Sequence, residues 1–156
     1  MKASLIIALA CFILSGCTRE GLTEKAINHF DNKGITFHED LKYCLIIPGG
    51  GCSGCIASGI SFVKEMKEYF SINQNENAII FTGIASNKIL RRQLGGVTLD
   101  SMNVLIDTAN VYTINTPDSR YPIVLYLKEG RVVRADKQSP ESAALEELRM
   151  HLEKQI

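Results

Sequence analysis

The chain has 156 residues, and its seventeen Lys and Arg balance seventeen Asp and Glu, so the formal net charge is zero. Hydrophobic residues make up 46%, too many for a disordered segment. Adjacent basic residues never exceed the Arg91-Arg92 pair, which argues against a nucleic-acid binder, and no fixed period signals a repeat array.

Residues 1–16 hold twelve apolar side chains behind a single Lys and close on Ser15-Gly16, followed by Cys17. One positive charge, an apolar stretch and a small-residue exit are the parts of an export signal, and the stretch is shorter than the roughly 20 residues a spanning helix needs. L-S-G-C at 14–17 resembles the bacterial lipobox, in which the Cys becomes the first mature residue and is acylated. The alternative is an ordinary secretory signal with Cys17 incidental. The reading taken is a signal peptide over 1–16, a lipidated N-terminus with tether and short helix over 17–40, and one domain over 41–156. Such a protein is exported and anchored through Cys17 to a bacterial cell-envelope membrane, on its periplasmic or extracellular face. Without the leader about 140 residues remain, with a net charge near −1, enough for one domain.

Along the mature chain, Thr23 to Phe30 predicts a short helix closed by a turn at Asn32-Lys33-Gly34. Leu41 to Ile47 is a continuous apolar run ending at Pro48, the pattern of a buried strand. Gly49, Gly50 and Gly51 interrupt it. From Cys52 a helical spacing carries Ile56, Ile60, Val63, Lys67 and Phe70 on one face of a long amphipathic helix. Ala78 to Ile84 predicts a second strand. Ser86 caps a short helix through Leu94, with Gly95-Gly96 as its C-cap and Lys88, Arg91 and Arg92 on a solvated face.

Val104 to Ile106 predicts a third strand ending at Asp107, which serves a turn, and Val111 to Ile114 a further short extended segment. Ile123 to Leu127 and Arg131 to Arg134 form a hairpin around Lys128-Glu129-Gly130. Ser139-Pro140-Glu141 opens the last helix, lined by Leu145, Leu148 and Leu152. This order predicts an α/β domain with a mixed sheet covered by helices on both faces.

Five Cys are present; Cys11 leaves with the leader and Cys17 takes lipid, leaving Cys44, Cys52 and Cys55. C-S-G-C at 52–55 puts two thiols three residues apart at a helix start, where free amides and the helix dipole favour a thiolate. Such motifs lower a thiol pKa from ~8.5 to roughly 3.5–7.5. Cys52 is then the attacking sulfur and Cys55 the resolving one, and the flanking glycines, Gly51 among them, let a partner's backbone approach. Cys44 reads as an inert core thiol, with pairing to Cys52 as the lesser alternative.

The element order, C-S-G-C after the first strand, Tyr121-Pro122 before the hairpin, V-L-I-D at 104–107 and P-I-V-L-Y-L-K-E-G-R-V-V at 122–133 resemble the thioredoxin-like superfamily, in particular its membrane-tethered bacterial members. The resemblance covers about residues 41–156. It implies a thioredoxin-like fold, a cis Pro122 facing the active sulfurs, and a Tyr121 backbone that hydrogen-bonds a bound peptide. It also implies disulfide exchange with protein thiols and disulfides, without a cofactor, with a membrane electron donor as a candidate second partner. Four departures stand out: the chain has no Trp, Gly51 stands where an aromatic usually precedes the first Cys, Ser53-Gly54 lacks the proline of strongly reducing members, and the first strand has no buried acid. The missing acid implies slower exchange, proton transfer through water, or a different base such as Glu39 or Asp40.

The rival reading is a non-catalytic binding lipoprotein with a structural disulfide. A zinc site would need a second ligand pair, and Cys44, His29, His38 and His151 lack the spacing. P-G-G-G-C-S-G lacks the Lys-Ser/Thr of a phosphate loop.

Overall fold

The central strand, β1 (Tyr43–Pro48), is apolar at nearly every position because both of its faces are covered. Leu45 and Ile47 point to one face and Cys44 and Ile46 to the other. The computed structural model describes residues 21–95 and 102–154; the leader, Cys17 and Gly96 lie outside them. On one side β1 pairs in parallel with β2 (Asn77–Thr82), which pairs in parallel with β3 (Val104–Asp107). On the other it pairs antiparallel with β4 (Ile123–Lys128), followed by β5 (Arg131–Ser139) and the two-residue β6 (Ser142–Ala143). The result is a six-stranded mixed sheet in the order β3-β2-β1-β4-β5-β6, within a mixed α/β fold.

One face is covered by α2 (Ser53–Glu65), α3 (Lys67–Ile72), α4 (Asn87–Gln93) and α5 (Ala144–Glu153). Val63, Phe70, Leu90, Leu148 and Leu152 pack there on Leu45, Ile47, Phe81 and Val124. The other face is covered by α1 (Leu22–Asn32), whose Ala26 and Phe30 join Cys44, Ile46, Ile80 and Leu125. Thr23 fastens α1 to β5: its Oγ1 accepts from the Ala135 N–H at 3.1 Å. Among the described residues no helix is long and apolar enough to cross a membrane.

Most predicted elements are present in the predicted order, with four corrections. The long helix from Cys52 to Phe70 bends at Met66 (φ −92°, ψ 13°) into α2 and α3. The bend keeps the bond from Met66 N–H to the Phe62 carbonyl at 2.9 Å and turns Phe70 inward, its ring centroid 6.2 Å from that of Phe62. Val111 to Ile114 is not a strand: it has no ladder partner, and Asp107 Oδ2 instead accepts the Tyr112 N–H at 2.8 Å, so Asp107 serves a turn as predicted.

The third correction concerns the last helix. Ser139-Pro140-Glu141 does not open it; β5 runs through Ser139, and α5 starts at Ala144. Gln138 Oε1 accepts the Leu145 N–H at 3.0 Å, while Ser139 Oγ donates to Glu141 at 2.9 Å. Finally, the hairpin turn is tighter than predicted, with Glu129 and Gly130 as its two left-handed residues (φ 51° and 74°), a pairing that suits the twist of the flanking strands.

Candidate functional site: the Cys52–Cys55 pair at the carboxyl end of β1

After Pro48 the chain crosses the end of the sheet through three glycines. Gly49 donates its N–H to the Thr82 carbonyl at 2.7 Å, and a Cβ on it would collide with the Gly83 backbone. Gly51 sits at φ +128°, a conformation open essentially to glycine alone, and a Cβ there would strike the Arg120 carbonyl and Cβ. The departure at this position therefore has a structural cause: an aromatic side chain has neither the backbone conformation nor the room.

Cys52 is the N-cap of α2 (φ −70°, ψ 99°), and its Sγ accepts the Cys55 N–H at 3.4 Å. A sulfur thus occupies the position usually filled by a capping oxygen, facing the positive end of the helix dipole. Cys52 and Cys55 are paired as a disulfide with their Cα atoms 5.3 Å apart. Cys52 is half-buried and Cys55 is buried, so Cys52 is the more accessible of the two sulfurs. Ser53 and Gly54 between them are exposed.

The second wall comes from the segment before β4. Thr116 caps a single 3₁₀ turn over Pro117–Arg120, and its carbonyl takes the Ser119 hydroxyl at 2.7 Å. The Arg120 carbonyl then accepts the Cys52 N–H at 3.0 Å. Tyr121 is extended (φ −110°, ψ 153°), the conformation favoured before proline. Pro122 is buried beside α2, where a Cβ on Gly59 would lie 3.3 Å from its Cγ and equally close to Ile47 Cδ1. Gly51, Cys52, Cys55, Tyr121 and Pro122 are thus gathered at one end of the sheet. The cis bond implied for Tyr121-Pro122 is not present; no described peptide bond is cis, and trans is the intrinsically favoured isomer.

The substitute base is corrected too. Glu39 and Asp40 are exposed at the opposite end of β1, next to the Gly130 hairpin turn. The six-residue strand keeps them about 20 Å from the sulfurs. Two other carboxylates stand near the cysteine-bearing end: Asp118 is engaged by Lys137 at 2.6 Å and Asp107 by the Tyr112 amide.

Cys44 lies fully buried on the α1 face of β1, the face opposite α2. Burial pushes its thiol far above the ordinary range, and a position four residues back along the strand, roughly 13 Å, does not reach Cys52. The three histidines are dispersed: His29 meets the Val111 carbonyl at 3.0 Å, His38 meets Asp40 at 3.5 Å, and His151 meets Glu147 at 3.7 Å. Among the described residues no three His, Cys, Asp or Glu side chains converge on a point where a metal could sit.

Sequence reasoning missed Arg120, Lys137 and Asp118. Arg120 places its guanidinium 5.0 Å from the centre of the Tyr121 ring, and Lys137 Nζ lies 5.4 Å from the same ring. Only the turn-forming Pro117-Asp118-Ser119 hinted that this segment folds back on itself. In comparison with known proteins, no family model, no curated protein and no solved structure matches this chain.

Proposed function

We propose that this chain is a thiol–disulfide oxidoreductase of thioredoxin-like fold, exported and held at a bacterial cell-envelope membrane by lipid on Cys17. The observation that carries the reading is the capping geometry of Cys52, a half-buried sulfur accepting the Cys55 amide at 3.4 Å and able to pair with a buried second thiol. In the reductive direction the Cys52 thiolate attacks one sulfur of a partner disulfide, forming a mixed disulfide and expelling the other partner sulfur as thiolate. The Cys55 thiol gives its proton to solvent and attacks Cys52 Sγ, which closes the Cys52–Cys55 bond and releases the second partner sulfur. Two electrons pass to the partner and no cofactor is required. By analogy with tethered relatives, a membrane donor restores the dithiol.

Loss of the Cys55 proton to water, in place of a buried carboxylate, makes the resolving step slow. The same feature supports the second reading, a binding lipoprotein in which the disulfide only staples the start of α2. A redox titration of the full-length protein in glutathione and dithiothreitol buffers separates the two, with Cys44, Cys52 and Cys55 followed individually by alkylation and peptide mass spectrometry. Reversible Cys52–Cys55 reduction in the folded protein at an intermediate potential is the expected result. A pair reduced only when the protein unfolds makes it a staple, and the enzyme reading falls.

A further inference from the structure

We infer that Arg120 forms an anion-recognising rim beside the disulfide, selecting partners whose reactive cysteine is flanked by a carboxylate; this inference rests on the oxidoreductase reading and names its substrate class. Arg120 is exposed, yet it is fixed at both ends. Its carbonyl is bound by the Cys52 N–H at 3.0 Å, its Cβ stands over Gly51, and its guanidinium rests 5.0 Å from the Tyr121 ring centre. A guanidinium resting near a ring keeps donors available to a carboxylate, and its planar fork loses little further freedom on binding one.

The local charge balance points the same way. Asp118 is engaged by Lys137 at 2.6 Å, and among the described residues no carboxylate pairs with Arg120. The exposed neighbours of Cys52 along the chain, Gly49, Gly50, Ser53, Gly54, Ala57 and Ser58, are small and neutral. A partner strand docking here meets one unneutralised cation, on the residue whose carbonyl binds the Cys52 N–H. An acidic residue beside the target cysteine gains an ion pair during formation of the mixed disulfide, and a basic one meets repulsion. The chemistry is shared by an acidic protein segment and by glutathione, whose two carboxylates flank one thiol.

The test uses the full-length reduced protein and three disulfide-linked peptides that differ only in flanking Glu, Gln or Lys, with glutathione disulfide as a fourth substrate. Second-order rates are measured at low and high salt for wild type, Arg120→Gln and Arg120→Lys. An exposed ion pair of this kind is worth about two- to fivefold in rate. The wild type is expected to prefer Glu over Gln by that factor at low salt, Arg120→Gln to lose the preference, and Arg120→Lys to retain part of it. Preference for the acidic peptide over glutathione disulfide assigns the rim to protein segments; the reverse assigns it to the small thiol.

Binding of a cysteine-free acidic peptide to the oxidised protein, followed by amide chemical shifts, is measured in parallel. Exchange with no Glu preference, or a preference unchanged in Arg120→Gln, overturns the inference and leaves the oxidoreductase reading intact. Failure of all exchange, with acidic-peptide shifts at Arg120 and Tyr121 that vanish in Arg120→Gln, removes the oxidoreductase reading and leaves the rim as a binding site. Failure of both removes both.

Discussion

The backbone N–H of Cys52 donates to the Arg120 carbonyl at 3.0 Å, so the residue that caps α2 is held by a segment that enters the sheet much later in the chain. The bond requires the two backbones to approach closely, and Gly51 permits it by taking φ +128° where any Cβ would meet Arg120. Gly51→Ala is therefore expected to destabilise the fold by about 2–3 kcal/mol, combining backbone strain with a steric clash. Gly50→Ala, whose Cβ would enter open space at a φ outside the left-handed region, is expected to be neutral or to stabilise by up to about 1 kcal/mol. Urea denaturation of both variants checks this, and equal costs would show that the Gly51–Arg120 contact does not constrain the loop.

The two cysteines are not equivalent. Cys52 is half-buried and Cys55 is buried, so on the proposed mechanism the mixed disulfide forms at Cys52 and Cys55 is the internal thiol that resolves it. Cys55→Ser should trap covalent partners at Cys52, visible on non-reducing gels and released by dithiothreitol, while Cys52→Ser should trap at least tenfold fewer. Equal trapping by the two variants would remove the assignment of attacking and resolving roles.

Cys44 supplies a pH-dependent stability signal separate from exchange. Burial raises the folded-state pKa of its thiol far above the unfolded value of about 8.5. Below that value the thiol is neutral in both states and stability is unaffected. As pH rises above it, only the unfolded chain ionises, the folded state holds the extra proton, and stability falls by up to about 1.4 kcal/mol per pH unit. Tyr126, pushed up to about 12 mainly by burial, adds a smaller loss at higher pH, because it is only partly buried. With the disulfide kept oxidised, wild type should lose about 2 kcal/mol more than Cys44→Ala between pH ~8.5 and ~10. Parallel pH profiles for the two proteins would mean that Cys44 is reached by solvent in the native state.

Much of the fold is legible in the sequence because its apolar runs are bounded by glycine and proline: β1 ends at Pro48, β2 before Gly83, and β4 turns through Glu129-Gly130. The paired cysteines are legible for the same local reason, as Cys52 and Cys55 need only the helix that follows them. What is not legible depends on partners distant in sequence. The bend at Met66 leaves the three- and four-residue spacing of apolar residues unbroken, so periodicity does not reveal it. Val111 to Ile114 has strand-forming residues but no neighbouring edge with which to pair. The Arg120 carbonyl meets the Cys52 N–H only because Ile46 is paired with Ile123, a register that places the segment before β4 beside the start of α2.

The start of α5 shows the same competition between local and tertiary signals, and it yields a direct test. Ser139-Pro140-Glu141 satisfies the local pattern of a helix start, but β5 continues through this region with Lys137 opposite Ile123 and Ser139 opposite Ser142, so the ladder claims the residues a cap would use. The capping duty passes to Gln138, whose Oε1 takes the Leu145 amide at 3.0 Å, while Ser139 Oγ is turned to Glu141. Gln138→Ala is expected to lower stability by about 1 kcal/mol, the usual cost of a lost side-chain cap, and to speed hydrogen exchange at the Leu145 amide. Ser139→Ala should leave that amide's exchange unchanged, because its hydroxyl does not touch it. Faster Leu145 exchange in Ser139→Ala but not in Gln138→Ala would restore the local pattern as the true helix start and overturn the placement of α5.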